Sequence, residues 1–174
     1  MKLYLVRHGE AVSNVEKRYN LPDDRLTEKG IEQAKYLSEL IKDIDYDVVI
    51  SSPLIRCIDT TNIINVKNKE VIVEPNLQER DAGNLKGTLL AESNREEYWN
   101  YNTTLVQGKY EDIKDFFNRI YNVLDKLKAC DYESILMVAH SGVSKAIDSY
   151  FNGIGDGYFL NKGLSNCEIK EYDL

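Results

Sequence analysis

Apolar residues fall into short continuous runs that alternate with longer stretches at helical spacing. The runs Leu3-Tyr4-Leu5-Val6, Asp47-Val48-Val49-Ile50, Glu70-Val71-Ile72-Val73 and Ser134 to Ala139 read as buried strands. Between them, Thr27-Glu28-Lys29-Gly30 opens a helix to about Lys42, with Ile31, Ala34, Leu37, Leu40 and Ile41 on its buried face. A second helix runs from Pro53, with the preceding serine as cap, to Val66, carrying Leu54, Ile58 and Thr61 inward. A third, from Glu111 to Ala129, turns Ile113, Phe116, Phe117, Ile120, Val123, Leu124 and Leu127 to one side. Ala11 to Lys17 forms a short helical turn, and a last helix starts at Ser141-Gly142 and reaches Phe151. Leu77 to Gly108 is a polar excursion, partly helical from Leu89 to Tyr101, of the kind that carries function in compact domains. Tyr158 to Leu160 and Cys167 to Glu171, after a glycine-rich turn, are expected closing strands. Alternating strands and helices predict an α/β fold, a mostly parallel sheet covered on both faces.

Composition narrows the function classes. The 174 residues are expected to form one domain, with an ordinary hydrophobic content of 43%. A net charge of −7 argues against general nucleic-acid binding, yet a local cluster of cations still suits an anionic small ligand. Cys57, Cys130 and Cys167 are odd in number and widely spaced, which points to reduced thiols and to neither a disulfide framework nor a zinc site. No aspartate cluster has metal spacing. Lys2 is followed by only four apolar residues before Arg7, unlike a signal peptide, and no run approaches a membrane span. The expectation is a cytoplasmic protein without a metal, cofactor, nucleic-acid or membrane partner.

The chemistry gathers at strand ends. The first strand runs straight into Arg7-His8-Gly9, and the only other histidine, His140, closes Ile135-Leu136-Met137-Val138-Ala139. The crevice outside the carboxyl ends of parallel strands is where ligands of open α/β sheets bind. Arg7, His8, Asn14, Arg56, Glu79 and His140 all fall at strand ends or adjacent turns. Two guanidiniums, two imidazoles and an amide suit a tetrahedral dianion, with helix amino termini near Ser13, Pro53 and Ser141 as added donors. A carboxylate would repel that dianion, so Glu79 fits best as a proton carrier.

Leu5-Val6-Arg7-His8-Gly9-Glu10-Ala11 with Asn14 also resembles the signature of the histidine phosphatase, or phosphoglycerate-mutase-like, family. Four blocks agree in order: Leu26 to Ala34, Ser51 to Thr60 around Arg56, Leu77 to Gly83 around Glu79, and Val138 to Gly142 around His140. The resemblance implies a three-layer α/β/α fold. It implies His8 as the nucleophile that becomes phosphohistidine, Arg7, Arg56, His140 and Asn14 as holders of the phosphoryl oxygens, and Glu79 as acid and then base. Ser141 stands where the family usually has glycine, which places it on the substrate side. Lys86 and Lys109 are expected to add charge near the entrance.

Family mutases carry a long insertion after the acid block and a C-terminal tail, for which this chain lacks room. The expected activity is therefore metal-independent hydrolysis of a small phosphorylated metabolite. The alternatives are a cofactor-dependent phosphoglycerate mutase and a phosphate-binding regulatory module without turnover. Cys57 and the Tyr98-Trp99-Tyr101 cluster read as packing, and Glu10 as structural.

Overall fold

Residues 1–103 and 110–174 are described in a computed structural model. Five strands lie in one sheet: β1 (Lys2–Arg7), β2 (Val48–Ser51), β3 (Val71–Val73), β4 (Ser134–Ala139) and β5 (Ile169–Asp173), in the order β3-β2-β4-β1-β5. The first four run parallel, and β5 closes the edge antiparallel to β1. Helices α1 (Val12–Glu16), α2 (Glu28–Leu40), α3 (Ile55–Ile64), α4 (Arg95–Tyr98), α5 (Ile113–Lys128) and α6 (Ser141–Asn152) make the connections. The architecture is the α/β layering expected from the alternating pattern.

Side chains alternate across a pleated strand, so each central strand feeds two cores. Leu3, Leu5, Ile135 and Met137 pack against Phe116, Phe117, Ile120, Val143 and Ile147 of α5 and α6. Val6, Val49, Leu136 and Val138 pack against Ala34, Leu37, Cys57 and Ile64 of α2 and α3. The chain leaving β1 therefore goes to one face and the chain leaving β4 to the other. These two strands are neighbours, and connections that diverge from neighbouring strands open a crevice at their carboxyl ends.

Local signals explain the helix starts. Thr27 accepts a hydrogen bond from Gly30 N at 3.0 Å, and Asp112 accepts from Lys114 N at 2.7 Å. Several boundaries move inward from the sequence reading. α2 ends at Leu40, and both Leu40 and Ile31 are exposed, because only part of its apolar set reaches the sheet. α3 begins at Ile55, and its inward residues are Arg56, Cys57, Thr60, Thr61 and Ile64. Leu54 and Ile58 are half-buried instead. Polar residues on that face blurred the helical period, since the helix buries them for the sheet's end and not for an apolar core. Ser52 does not cap α3; its hydroxyl points elsewhere, as described below.

Tyr158 to Leu160 is not a strand: it holds one isolated bridge, Asn100 to Tyr158, and Phe159 buries its ring. The excursion after Leu77 consists of short 3₁₀ turns and the single-turn α4 as far as Thr103. Gly108 and Lys109 lie outside the described residues. No helix among the described residues is long and apolar enough to cross a membrane.

Candidate active site

Strand register brings the two histidines together. Arg7 pairs with Ala139 at the ends of β1 and β4, so the next residue of each strand, His8 and His140, leaves the sheet side by side. Their ring centroids are 5.2 Å apart in an edge-to-face arrangement. Gly9 and Gly30 make this exit possible. A Cβ on Gly9 would lie 2.5 Å from the Gly30 carbonyl oxygen, and one on Gly30 would lie 2.1 Å from that of Glu10. Backbone crosses backbone there, and no side chain fits between. Glu10 stays outside the crevice, accepting from Thr27 Oγ1 at 2.9 Å and Lys29 Nζ at 3.0 Å.

The His8 tautomer follows from one contact. Nδ1 donates to the carbonyl of Gly9 at 2.7 Å, which leaves the lone pair of the neutral ring on Nε2. Burial, with Arg56 and Arg7 adding to it, holds the His8 pKa well below its ordinary value. Desolvation outweighs the flanking cations that sequence alone suggested. His140 is neutral for the same reasons, burial first and then Arg56.

A cavity of about 240 Å³ opens beside His8, and Arg7, Asn14, Arg56, Glu79 and Ser141 line it. His140 does not reach the wall. It is buried behind His8, with Nε2 at 2.7 Å from Ser52 Oγ and 3.5 Å from Cys57 Sγ. Ser52 Oγ also accepts from Leu54 N at 3.4 Å, which anchors the hydroxyl beside the His140 ring. Burial pushes the Cys57 thiol up to about 12, which leaves it a neutral packing group.

Of the two cations beside His8, Arg56 is buried and Arg7 half-buried. Arg56 donates to the carbonyl of Leu21 at 3.3 Å, and Arg7 to that of Leu164 at 2.8 Å. Burial pulls both guanidiniums below their ordinary pKa, yet an arginine stays charged. Arg7 Nε has no hydrogen-bond partner among the described residues, a cost that buried donors rarely carry unless a ligand satisfies them. Asn14 Oδ1 accepts from Ala11 N at 3.0 Å and Asn166 Nδ2 at 3.2 Å, which leaves its own amide protons free to donate into the cavity.

Glu79 is fixed through both oxygens. Oε1 accepts from Arg80 N at 2.9 Å and Oε2 from Gly142 N, in the first turn of α6, at 3.0 Å. Arg119 grips the backbone of the same loop, donating to the carbonyls of Gln78 at 2.9 Å and Glu79 at 3.2 Å while pairing with Glu111. Lys86 pairs its ammonium with Asp81 at 2.7 Å and lines a neighbouring recess that shares Asn20, Glu79 and Arg80 with the cavity.

Several lining residues escaped the sequence reading. Arg18 forms a two-point pair with Asp24 and also meets Glu16. Arg80 is held by the carbonyls of Glu111 and Tyr98, with its guanidinium 4.2 Å from the Tyr98 ring centroid. Arg95 and Lys145 complete the cationic wall. Asn166 ties the site to the closing segment, donating to the His8 carbonyl at 3.0 Å. The one available signal was Lys145, a lysine inside the small and apolar run Val143 to Ile147. Among the described residues no group of three or more His, Cys, Asp or Glu side chains is placed to hold a metal ion.

Comparison with known proteins follows this geometry. A probable 2-carboxy-D-arabinitol-1-phosphatase of Arabidopsis thaliana is 30% identical over 99% of this chain, which spans only 38% of that protein's length. Phosphoserine phosphatase 1 of Hydrogenobacter thermophilus is 31% identical over 96% of this chain and 83% of its own. The crystal structure of the α-ribazole phosphatase from Shigella flexneri superposes with a TM-score of 0.86 at 26% identity, covering 100% of this chain and 91% of that one. The profile of the histidine phosphatase superfamily (branch 1) matches residues 3–174, and the chain belongs to that superfamily.

Proposed function

We propose that the protein is a phosphomonoester phosphatase that works through a phosphohistidine on His8, without a metal ion or cofactor. The observation that carries this reading is the neutral His8 ring, its Nδ1 proton spent on Gly9, beside an unpartnered donor of Arg7 in a cationic cavity. Relatives named as phosphatases of phosphoserine and of 2-carboxy-D-arabinitol 1-phosphate support it.

In the first step His8 Nε2 attacks phosphorus in line, the ester P–O bond breaks, and Glu79 gives its proton to the leaving oxygen. Arg7, Arg56 and the Asn14 amide hold the phosphoryl oxygens, and His140 packs against the His8 ring from the side away from the cavity. Glu79, now ionised, takes a proton from water; the water oxygen attacks phosphorus, the N–P bond breaks, and inorganic phosphate leaves. Phosphoryl transfer asks mainly for charge stabilisation and alignment, and this set supplies both.

The test is a rapid-quench reaction with a ³²P-labelled phosphomonoester. A phosphoenzyme labile to acid and stable to alkali is expected in the wild type and absent from His8→Ala. Full turnover by His8→Ala would overturn the assignment.

A further inference from the structure

The segment that carries Glu79 belongs to neither a strand nor a helix. It lies between the 3₁₀ turns Pro75–Leu77 and Gly83–Leu85, so no sheet ladder takes up its backbone groups. One side chain from α5 does so instead. Arg119 donates through Nη1 to the carbonyls of Asn76 and, at 2.9 Å, Gln78, and through Nη2 to that of Glu79 at 3.2 Å. Its other bonds go to Glu111, from Nε to Oε1 at 2.7 Å and from Nη2 to Oε2 at 3.0 Å. A guanidinium has five N–H donors, and all of them are spent on this segment and on Glu111.

Glu111 belongs to the same brace. Its Oε2 also accepts from Asp81 N at 2.9 Å, and its own N–H donates to the Asp81 carbonyl at 2.9 Å. Its carbonyl accepts from Arg80 Nε at 2.9 Å. Residues 76 to 81 are therefore tied to an ion pair and not to the sheet. The core places that pair: Phe116 and Ile120 of α5 are fully buried, and the Arg119 guanidinium lies 4.7 Å from the Phe116 ring centroid.

Glu79 is thus held at its two ends by different helices. Arg119 on α5 fixes the carbonyl, and Gly142 on α6 fixes the carboxylate at 3.0 Å. Displacing a reacting group by about 1 Å is enough to cost most of its effect.

We propose that Arg119 is the positioning residue of the general acid. Through Glu111 and three backbone carbonyls it sets where the Glu79 proton meets the leaving oxygen, without itself touching substrate. Arg119 is absent from the wall of the His8 cavity and lines a second recess, of about 640 Å³, bordered by Gln78, Glu79 and Glu111. The inference rests on the phosphatase reading for the reaction that the carboxylate serves, and on geometry alone for the brace. Lysine at this position keeps the charge and the stem over Phe116 but loses the fork that spans three carbonyls and a carboxylate.

The experiment measures single-turnover cleavage of phenyl phosphate and para-nitrophenyl phosphate by Arg119→Lys, with circular dichroism to confirm folding. The two esters differ by one nitro group. A phenolate, with a pKa of about 10, needs the proton that a nitrophenolate does without. The expected loss is about 10–10²-fold for phenyl phosphate and at most about threefold for the nitrophenyl ester. In a Glu79→Gln background the same substitution should cost phenyl phosphate cleavage nothing further, since both changes act on one proton transfer. A merely structural arginine would slow both esters alike, or would add its loss in either background; each of these results overturns the proposal. Amide hydrogen exchange gives a readout that needs no turnover. Exchange at Gly142, which donates to the Glu79 carboxylate, should quicken at least about tenfold in Arg119→Lys while β1 and β4 stay protected. Unchanged protection of Gly142 overturns the brace whether or not the esters are cleaved. If the wild type cleaves neither ester, the phosphatase reading falls, and faster exchange at Gly142 leaves the brace standing without it.

Discussion

The Glu79 carboxylate rests on the first turn of α6 because residue 142 is glycine. Gly142 N donates to Oε2 at 3.0 Å, and a Cβ at this position would stand 2.0 Å from Oε1 and 2.7 Å from the Trp99 ring. Gly142→Ala therefore has to move Glu79, since the tryptophan is buried and cannot retreat. The expected outcome is a fall in kcat of about 10²-fold, the usual cost of misplacing a reacting group by about 1 Å. Steady-state kinetics together with a circular dichroism spectrum check it; unchanged kcat in a folded variant would separate Glu79 from the chemistry.

Proton donation by Glu79 should show in the leaving group. Glu79→Gln is expected to slow alkyl phosphates by about 10²–10⁴-fold and to slow cleavage of para-nitrophenyl phosphate much less, because a nitrophenolate leaves without a proton. Single-turnover cleavage rates for the two esters provide the comparison. Equal losses would point to a role in holding the loop and not in proton transfer.

The two buried histidines make stability depend on pH. Both are held neutral, their pKa values lying well below the ordinary value, mainly by burial. Above about pH 6.5 neither the folded nor the unfolded chain protonates them, and they cost nothing. Below that, the unfolded state takes up protons that the folded state refuses, so stability is lost as pH falls, by about 1.4 kcal/mol per pH unit for each ring. Thermal unfolding between pH 5 and 6.5 should show this slope, and the double variant His8→Asn, His140→Asn should flatten it. A slope that survives in the double variant would refute buried neutral rings.

Turnover is expected to be unchanged by EDTA, since the proposed charge stabilisation comes from Arg7, Arg56 and Asn14. Dialysis against the chelator followed by assay with and without magnesium measures this. A requirement for the ion would overturn the metal-free scheme.

Much of the fold was legible because the central strands are continuous apolar runs and α5 is amphipathic; β4 matches its sequence boundaries residue for residue. The site was legible in part because its residues follow directly on those strands. What the sequence concealed was polar burial. Arg56 and Thr60 face inward from α3 beside Thr61, so a helix read for apolar period points Leu54 and Ile58 at the sheet in their place. Lys145 and Arg80 were missed for a related reason: a buried cation looks, in sequence, like any surface charge until its carbonyl and aromatic partners are assembled. The place of His140, behind His8 and against Ser52, needed the register of β1 and β4 as well as the motif.

Asn166 carries a consequence for how the molecule is born. Its amide holds the His8 carbonyl and the Asn14 side chain, and it precedes β5, the strand that covers β1 from the far edge. A nascent chain that has already emerged past both histidines still lacks this brace. Competence for chemistry should therefore arrive late in translation, as a step and not gradually, when the closing segment docks.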